Sequence, residues 1–361
     1  MADQKNTKRA RVIAFYLPQF HSIPENDRWW GKGFTEWTNV SKGRPLFRGH
    51  QQPHVPADLG YYNLLDPQVR QRQAEFAKEA GVNGFCYWHY WLGFGRQLLE
   101  KPLQEVLRLH EPDFPFCLGW ANHSWMKKLW NSDISPANTQ LLVKQLYPGM
   151  ADIDRHFYTM LPAFKDERYM KIDGRLIFLV YEAHSNPYMR EHIERWQELA
   201  QKEGLPGFYF IAQCKRKQEL TQYRNLPFDA LNYDGLYYFF NQSKFRKLWA
   251  YVFNSPIATP YKALMKKYDT SLIKDDVYPT IYPNWDTTPR RGYVGTVFTG
   301  STPELFKQHV RQIIDATHVN SDGDKVVFLK SWNEWAEGNY MEPDAEYGHQ
   351  YLQALHEVLY N

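Results

Sequence analysis

Residues 330–338 read Lys-Ser-Trp-Asn-Glu-Trp-Ala-Glu-Gly, so Glu334 and Glu337 stand three apart among the indoles of Trp332 and Trp335. Glycosidic-bond chemistry needs such a pair, with one carboxyl held as an acid and the other as a base or nucleophile. Apolar walls raise a carboxyl's pKa and a like-charged neighbour raises it further, so Trp332, Trp335 and a second glutamate together could retain a proton at neutral pH. A plainer alternative has both glutamates merely capping or solvating a following helix. That alternative leaves two Trp in one turn without a task. The run Val326–Leu329 just ahead is apolar and β-rich, as a fully buried parallel strand requires, and it sets the glutamates at a strand's C-terminal end.

Other segments carry comparable equipment. Tyr16 closes an apolar run and is followed by Pro18, Gln19, Phe20 and His21; then come Glu36 and Trp37, a second Glu-Trp pairing that either binds a sugar hydroxyl or braces its loop. His50, Gln51, Gln52, Pro53 and His54 line a cleft or a loop surface equally well. Tyr87, Trp88, His89, Tyr90 and Trp91 form a continuous aromatic run around one imidazole, and alternation along a strand accounts for only every second member as core. Trp120, Asn122, His123 and Trp125 offer a stacking surface with amide and imidazole donors. Tyr181 and Glu182 end another apolar run. With Asn333 and Trp335, these make a candidate substrate-binding set: Tyr16, Glu36, Trp37, Tyr87, Trp88, His89, Trp120, Asn122, His123, Trp125, Tyr181, Asn333 and Trp335.

Those residues sit on a repeating alternation of elements. Strands are predicted at Arg11–Leu17, Val82–Tyr90, Phe114–Trp120, Arg175–Tyr181, Phe208–Gln213, Ala230–Leu236, Val277–Tyr282 and Val326–Lys330. Helices are predicted at Pro67–Gly81, with Asp66 as cap and Gly81 as stop, and at Gln97–Leu109, Ala151–Lys165, Pro187–Glu203, Pro303–Thr317 and Tyr347–Leu359. Eight β-then-α units with no second composition regime point to a single (β/α)8 TIM barrel over 1–361, with an insertion at 241–268 that is helical from about Ser243 to Phe253. Long loops crowded with Trp, His, Asn, Tyr and Arg follow strands one, two, three and seven. In such a barrel they would build the functional face.

Composition narrows the chemistry. The 361 residues include 43 Lys+Arg against 40 Asp+Glu with no basic block, so nucleic acid is not an expected partner. Aromatic residues make up 17% of the chain, and such rings stack on sugar C–H faces while keeping a polar edge. An aromatic-rich core would give the same composition. Cys86, Cys117 and Cys214 are an odd set without zinc spacing, each inside an apolar run; they predict no disulfide framework and a reducing compartment. The sequence lacks Gly-x-Gly-x-x-Gly, Walker, Gly-x-Ser-x-Gly and His-Glu-x-x-His patterns, so no cofactor and no catalytic metal are expected. Asp152-Ile153-Asp154 matches the Asp-x-Asp of nucleotide-sugar transferases, but it opens a predicted helix, where Asp serves as cap or dipole partner. Asp322-Gly323-Asp324 precedes strand eight and belongs to the opposite face. The first residues carry no signal-peptide pattern and no long apolar run follows, so a cytoplasmic protein without a transmembrane segment is expected, a processed secreted form being the alternative.

Four segments carry a family resemblance: Ile13–His21, Gly33-Phe34-Thr35-Glu36-Trp37, Phe85–Trp91 and Trp332-Asn333-Glu334-Trp335-Ala336-Glu337-Gly338. Together they resemble the WbsX-like family, usually described as glycosyltransferases of bacterial surface-polysaccharide gene clusters. That family is in turn similar to the family 99 glycoside hydrolases, endo-α-mannosidases and endo-α-mannanases built on (β/α)8 barrels. The resemblance spans essentially the whole chain. It implies that Glu334 and Glu337 occupy the places of the hydrolases' two catalytic glutamates. The first would deprotonate the sugar 2-hydroxyl, which attacks C1 to give a 1,2-anhydro sugar; the second would protonate the leaving oxygen and then activate water. The sequence departs at Ala336, where hydrolase members often carry His, a difference that bears on the substrate. Three functions are therefore expected in order: a retaining glycosidase-like enzyme on an oligosaccharide or polysaccharide, a glycosyltransferase of surface-polysaccharide assembly, and a non-catalytic glycan-binding barrel. Partial burial and the charge of Glu334 are expected to raise the pKa of Glu337, the acid/base.

Overall fold

The computed structural model describes residues 8–127, 140–236, 248, 250 and 252–361. Eight parallel strands close a barrel: β1 (Arg11–Tyr16), β2 (Gly84–Trp91), β3 (Phe116–Trp120), β4 (Arg175–Val180), β5 (Phe208–Cys214), β6 (Ala230–Tyr233), β7 (Val277–Ile281) and β8 (Val326–Leu329). Closure is made by β1, which pairs with β8 from Arg11↔Val326 to Ala14↔Leu329 and with β2 from Ile13↔Gly84 to Tyr16↔Tyr87. Every residue of β8 is buried, as expected of a strand covered on both faces.

Among the described residues a helix follows each strand: α1 (Pro67–Ala80), α2 (Lys101–Leu109), α3 (Met150–Phe164), α4 (Met189–Lys202), α5 (Lys217–Tyr223), α6 (Tyr261–Lys267), α7 (Pro303–Ala316) and α8 (Gln350–Tyr360). The chain is thus a (β/α)8 barrel. Local chemistry sets the helix ends. Asp66 accepts from the Gln68 N–H ahead of Pro67, and Gly81 leaves α1 in the left-handed region at φ 83°. Thr302 caps α7 in the same way ahead of Pro303.

Sequence periodicity missed three features. Gln97 and Leu98 pair with Trp91 and Tyr90 as a short hairpin, so α2 starts later than its apolar spacing indicates. The seven-residue helices α5 and α6 are too short for a clear period. Of the expected insertion at 241–268, residues 241–247, 249 and 251 lie outside the described residues, while Ile257–Pro260 pairs in parallel with Thr296–Thr299 and leads into α6.

The barrel interior is aromatic at its centre. Phe15 stacks on Trp88 at 4.8 Å and on Phe328 at 5.2 Å, joining β1, β2 and β8. Outward residues pack under the helices; Tyr16 donates to Gln73 of α1 at 2.7 Å. Cys86, Cys117 and Cys214 are free and buried. No helix among the described residues is long and apolar enough to cross a membrane.

Candidate active site

The last barrel strand runs into a miniature hairpin instead of a helix. Asn333 and Glu334 pair with Tyr340 and Asn339, Trp335–Glu337 make one 3-10 turn, and Gly338 closes it in the left-handed region. A Cβ at Gly338 would lie 2.7 Å from both Asp286 N and Asp286 Cβ, so only glycine lets the β7 loop come this close. Trp335 is buried, stacks on Tyr340 at 3.7 Å and donates its indole N–H to Glu342 at 2.6 Å. Asn333 exchanges two hydrogen bonds with Leu17, its Oδ1 accepting from the N–H at 2.7 Å and its Nδ2 donating to the carbonyl at 3.0 Å. Both tryptophans expected to wall the glutamates are instead taken up in packing: Trp335 on Tyr340, and Trp332, fully buried, against Phe85.

What faces the glutamates is Arg290. It belongs to the four-residue helix Thr288–Arg291 in the β7 loop. Its Nη2 donates to Glu334 at 2.8 Å, its Nη1 to Glu337 at 2.7 Å and its Nε to Glu36 at 3.0 Å. One guanidinium fork on the β7 loop thus holds three carboxylates drawn from two others, Glu36 of the β1 loop and Glu334 and Glu337 of the β8 loop, the geometry in which Arg outperforms Lys. Burial works against its charge, but Glu334, Glu36 and Glu337 more than offset this, so its pKa rises.

The balance is different on the acids. Glu334 is pushed up to about 8, first by burial; Arg290 draws it down, and the charges of Glu337 and Glu36 push it up again. Its side chain is 12% exposed against 29% for Glu337. The carboxyl that burial raises is thus Glu334, the first glutamate of the motif, where the expectation had placed the effect of burial on Glu337. The reason is geometric: Glu334 is the last paired residue of the hairpin, tucked beneath the turn that carries Glu337 outward.

Glu36, Arg290 and Glu337 lie in an open cleft of about 440 Å³, with Trp30, Phe34, Tyr90, Trp125 and Trp285 among its walls and Gln19, Asn39, His123 and Thr287 supplying polar groups. Trp125 meets Tyr90 edge-on at 5.2 Å. Of the predicted set, Glu36, His123, Trp125 and Glu337 line this cleft, and Glu334 reaches it through Arg290.

The rest of that set lies elsewhere, and strand alternation explains most of it. Along β2 the side chains of Phe85, Tyr87, His89 and Trp91 point outward while Trp88 and Tyr90 point inward. Tyr87 packs on Tyr16 and Phe85; His89 faces His156 of α3 at 2.8 Å; Trp91 donates to Asp152 of the same helix at 2.9 Å. Trp120 also faces out, donating to the Trp91 carbonyl at 2.9 Å. Trp88 is half-buried at the barrel axis, edge-on to Tyr181 at 5.4 Å, and Tyr181 lies under the Lys215 ammonium at 3.6 Å. Asn122 braces the β4 loop through both polar backbone atoms of Glu182. Trp37 is buried and donates to the Tyr62 carbonyl at 2.7 Å. The Asp-x-Asp pair is structural as read: Asp152 accepts from Trp91 and Gly95, and Asp154 holds Arg195.

Three members of the centre escaped the sequence reading: Arg290, Trp285 and Asp286. Their signal was Trp285-Asp286-Thr287-Thr288-Pro289-Arg290, a polar-aromatic stretch past the seventh strand that holds no second carboxylate pair to draw attention to it. Lys330, directly after β8, is partly buried and pairs with the buried Asp234 at 2.8 Å. Among the described residues no His, Cys, Asp or Glu cluster is arranged to hold a metal ion.

A carboxylate centre on the C-terminal face of a closed (β/α)8 barrel defines the architectural class. Solved structures agree on the fold. A glycoside hydrolase-like protein aligns with a TM-score of 0.62 at 15% identity, over 100% of this chain and 97% of its own. The GH99 endo-alpha-mannosidase from Bacteroides thetaiotaomicron aligns at 0.54 and 15%, over 97% of this chain and 96% of its own. Residues 12–355 match the family described as Glycosyltransferase WbsX, and the chain belongs to that family. It is 34% identical over 364 residues to the Uncharacterized protein WxcX of Xanthomonas campestris pv. campestris (strain B100), covering 98% of this chain and 50% of that protein. The chain spans about half the length of the curated relatives it matches.

Proposed function

We propose that the protein is a carbohydrate-active enzyme that cleaves glycosidic bonds of a bacterial-type polysaccharide or glycan with net retention. The observation that carries this reading is the single guanidinium holding Glu334, Glu337 and Glu36 beside an aromatic cleft. Trp125, Tyr90 and Trp285 offer ring faces to the sugars. Glu334 takes the proton of the sugar 2-hydroxyl as its oxygen attacks C1, while Glu337 gives a proton to the departing oxygen. Water, deprotonated by Glu337, then opens the 1,2-anhydro ring at C1, and Glu334 returns its proton to O2. Two inversions at C1 give retention.

The productive form has one proton on Glu337 and none on Glu334, whereas the resting balance favours Glu334. Three carboxylates with one guanidinium would carry two net negative charges if all were ionised, so one proton is shared by the group. Substrate entry would move that proton to Glu337 by placing a hydroxyl donor against Glu334.

A panel of purified bacterial polysaccharides incubated with the wild type and with Glu334→Gln tests the reading. Retained-configuration products from the wild type alone support it, and no cleavage on any member counts against it. A second reading, transfer of a sugar to an acceptor in surface-polysaccharide assembly, is favoured by the description of the family. Thermal shift with nucleotide sugars against free oligosaccharides separates the two. Binding of oligosaccharide that is indifferent to both glutamate substitutions, without turnover, would identify a glycan-binding barrel instead.

A further inference from the structure

The Asp286 carboxylate hydrogen-bonds to none of the three glutamate carboxylates, yet three loops meet on this residue. It is 1% exposed. Its Oδ1 accepts from the Thr288 N–H at 2.8 Å and the Thr288 hydroxyl at 2.6 Å, which fixes the start of the short helix carrying Arg290. Its backbone N–H donates to the Glu337 carbonyl at 2.7 Å. Its Oδ2 accepts from His50 Nε2 at 2.8 Å and Gln52 Nε2 at 2.6 Å, both from the β1 loop.

The donor set is committed. Leu46 N–H donates to His50 Nδ1 at 3.0 Å, so the ring proton sits on Nε2 and points at Asp286; Phe47 stacks on the imidazole at 4.5 Å and holds its plane. Burial pushes the Asp286 carboxyl up, but the hydrogen bonds from His50, Thr288 and Gln52 overcome this and keep it below its usual range. Both oxygens are thus acceptors with two donors each, a demand that an amide meets on one side only.

We infer that Asp286, oriented by His50, is a positioning residue that sets the Arg290 fork against Glu337 by holding the helix of one and the backbone of the other. This rests on the enzymatic reading for its consequence but not for its geometry. Because it acts through Arg290, its loss loosens the clamp without removing any group that touches substrate, and a displacement near 1 Å costs ~10²-fold in rate.

The test compares wild type, Asp286→Asn, His50→Ala and His50→Gln, the last restoring an N–H donor. Glu334 is followed by carboxyl-carbon NMR titration, assigned by difference against Glu334→Gln, alongside kcat and KM on a glycan turned over by the wild type and the melting temperature. Expected are an upward displacement of the Glu334 titration in Asp286→Asn and His50→Ala, a kcat loss of ~10²-fold in Asp286→Asn with KM changed less than about threefold, and both readouts returned toward wild type in His50→Gln. An unmoved Glu334 titration in a folded Asp286→Asn protein overturns the inference, whatever its melting temperature. If the wild type turns over no glycan, the enzymatic reading fails and the titration alone decides the positioning role.

Discussion

Two regions of this barrel share a composition and differ in everything else. At the outer ends of β2 and β3, His89, His156 and His192 sit among Trp91, Trp120 and Trp196, all buried under α3 and α4. At the mouth, Trp125, Tyr90 and Trp285 surround Glu36, Arg290 and Glu337. In the first region burial dominates the chemistry: it lowers His89 and His192 to about 3, and burial, helped by the two neighbouring imidazoles, holds His156 well below its ordinary value. Neutral rings pack there as aromatic blocks. In the second, charge is kept and compensated by a guanidinium shared among three acids. Aromatic rings and titratable groups together therefore do not mark a site; retained charge in an open cleft does.

The largest effects are expected at the two glutamates. Glu334→Gln and Glu337→Gln should each lower turnover by ~10²–10⁴-fold with circular dichroism unchanged. An activated aryl glycoside needs little protonation, so Glu337→Gln should lose less on it than on a natural linkage, while Glu334→Gln loses heavily on both. Equal losses across leaving groups would reverse or dissolve the assignment.

Next comes the guanidinium. Arg290→Met leaves Glu334, Glu36 and Glu337 without their shared counter-charge and should destabilise the fold by ~3–5 kcal/mol. The loss should be smaller at pH 5 than at pH 8, because the abandoned acids can then take up protons. Chemical denaturation at both pH values checks this, and a pH-independent loss would mean that Arg290 acts by packing.

A matched pair of indoles sharpens the contrast further. Trp125→Ala should weaken oligosaccharide binding about tenfold with little effect on stability. Trp120→Phe removes the N–H that serves the buried Trp91 carbonyl and should cost ~1–3 kcal/mol of stability while leaving binding alone. Calorimetry and melting curves of both variants decide it; a binding loss in Trp120→Phe would join the two regions functionally.

The smallest effect is a slope. Glu342 accepts from Trp335, Tyr62 and Gln73, and burial raises it to about 7. A carboxyl raised above its ordinary 4.5 contributes stability below that value and loses it as pH climbs through 7 to 8, for Glu342 and Glu334 alike. The buried imidazoles act oppositely, withdrawing stability only as pH falls below about 6.5. Between pH 6.5 and 8.5 the two carboxyls outweigh the opposing Lys8, which burial lowers to about 8, so the melting temperature should fall across that window and fall less in Glu342→Gln. An identical slope in the variant would remove Glu342 from the account.

How much of this was legible in the sequence follows from the same physics. All eight strands were visible because a parallel barrel strand is apolar on both faces, and in Val326–Leu329 nothing else fits. The carboxylate pair was visible because both members share one short motif. Arg290 was not, since its three partners lie 44, 47 and 254 residues away and no local pattern joins them. The aromatic run of β2 misled in a specific way. Five successive rings look like a surface, but Tyr87, His89 and Trp91 follow the strand's alternation outward to the helices, and only Tyr90 turns to the cleft.

One link remains, between Asn333 and Leu17. Its two hydrogen bonds extend the seam between β8 and β1 by one side chain, spanning 316 positions. On a ribosome, Leu17 emerges long before the residue it must meet exists. A contact of such long range bears a large loop-closure cost and belongs to the slow end of assembly. Since Glu334 is the very next residue, the carboxyl pair cannot be set until that seam is sewn. Unfinished chains would thus carry neither a closed ring nor an assembled glutamate pair, and formation of the Arg290–Glu334 contact during refolding would serve as a clock for the final stitch.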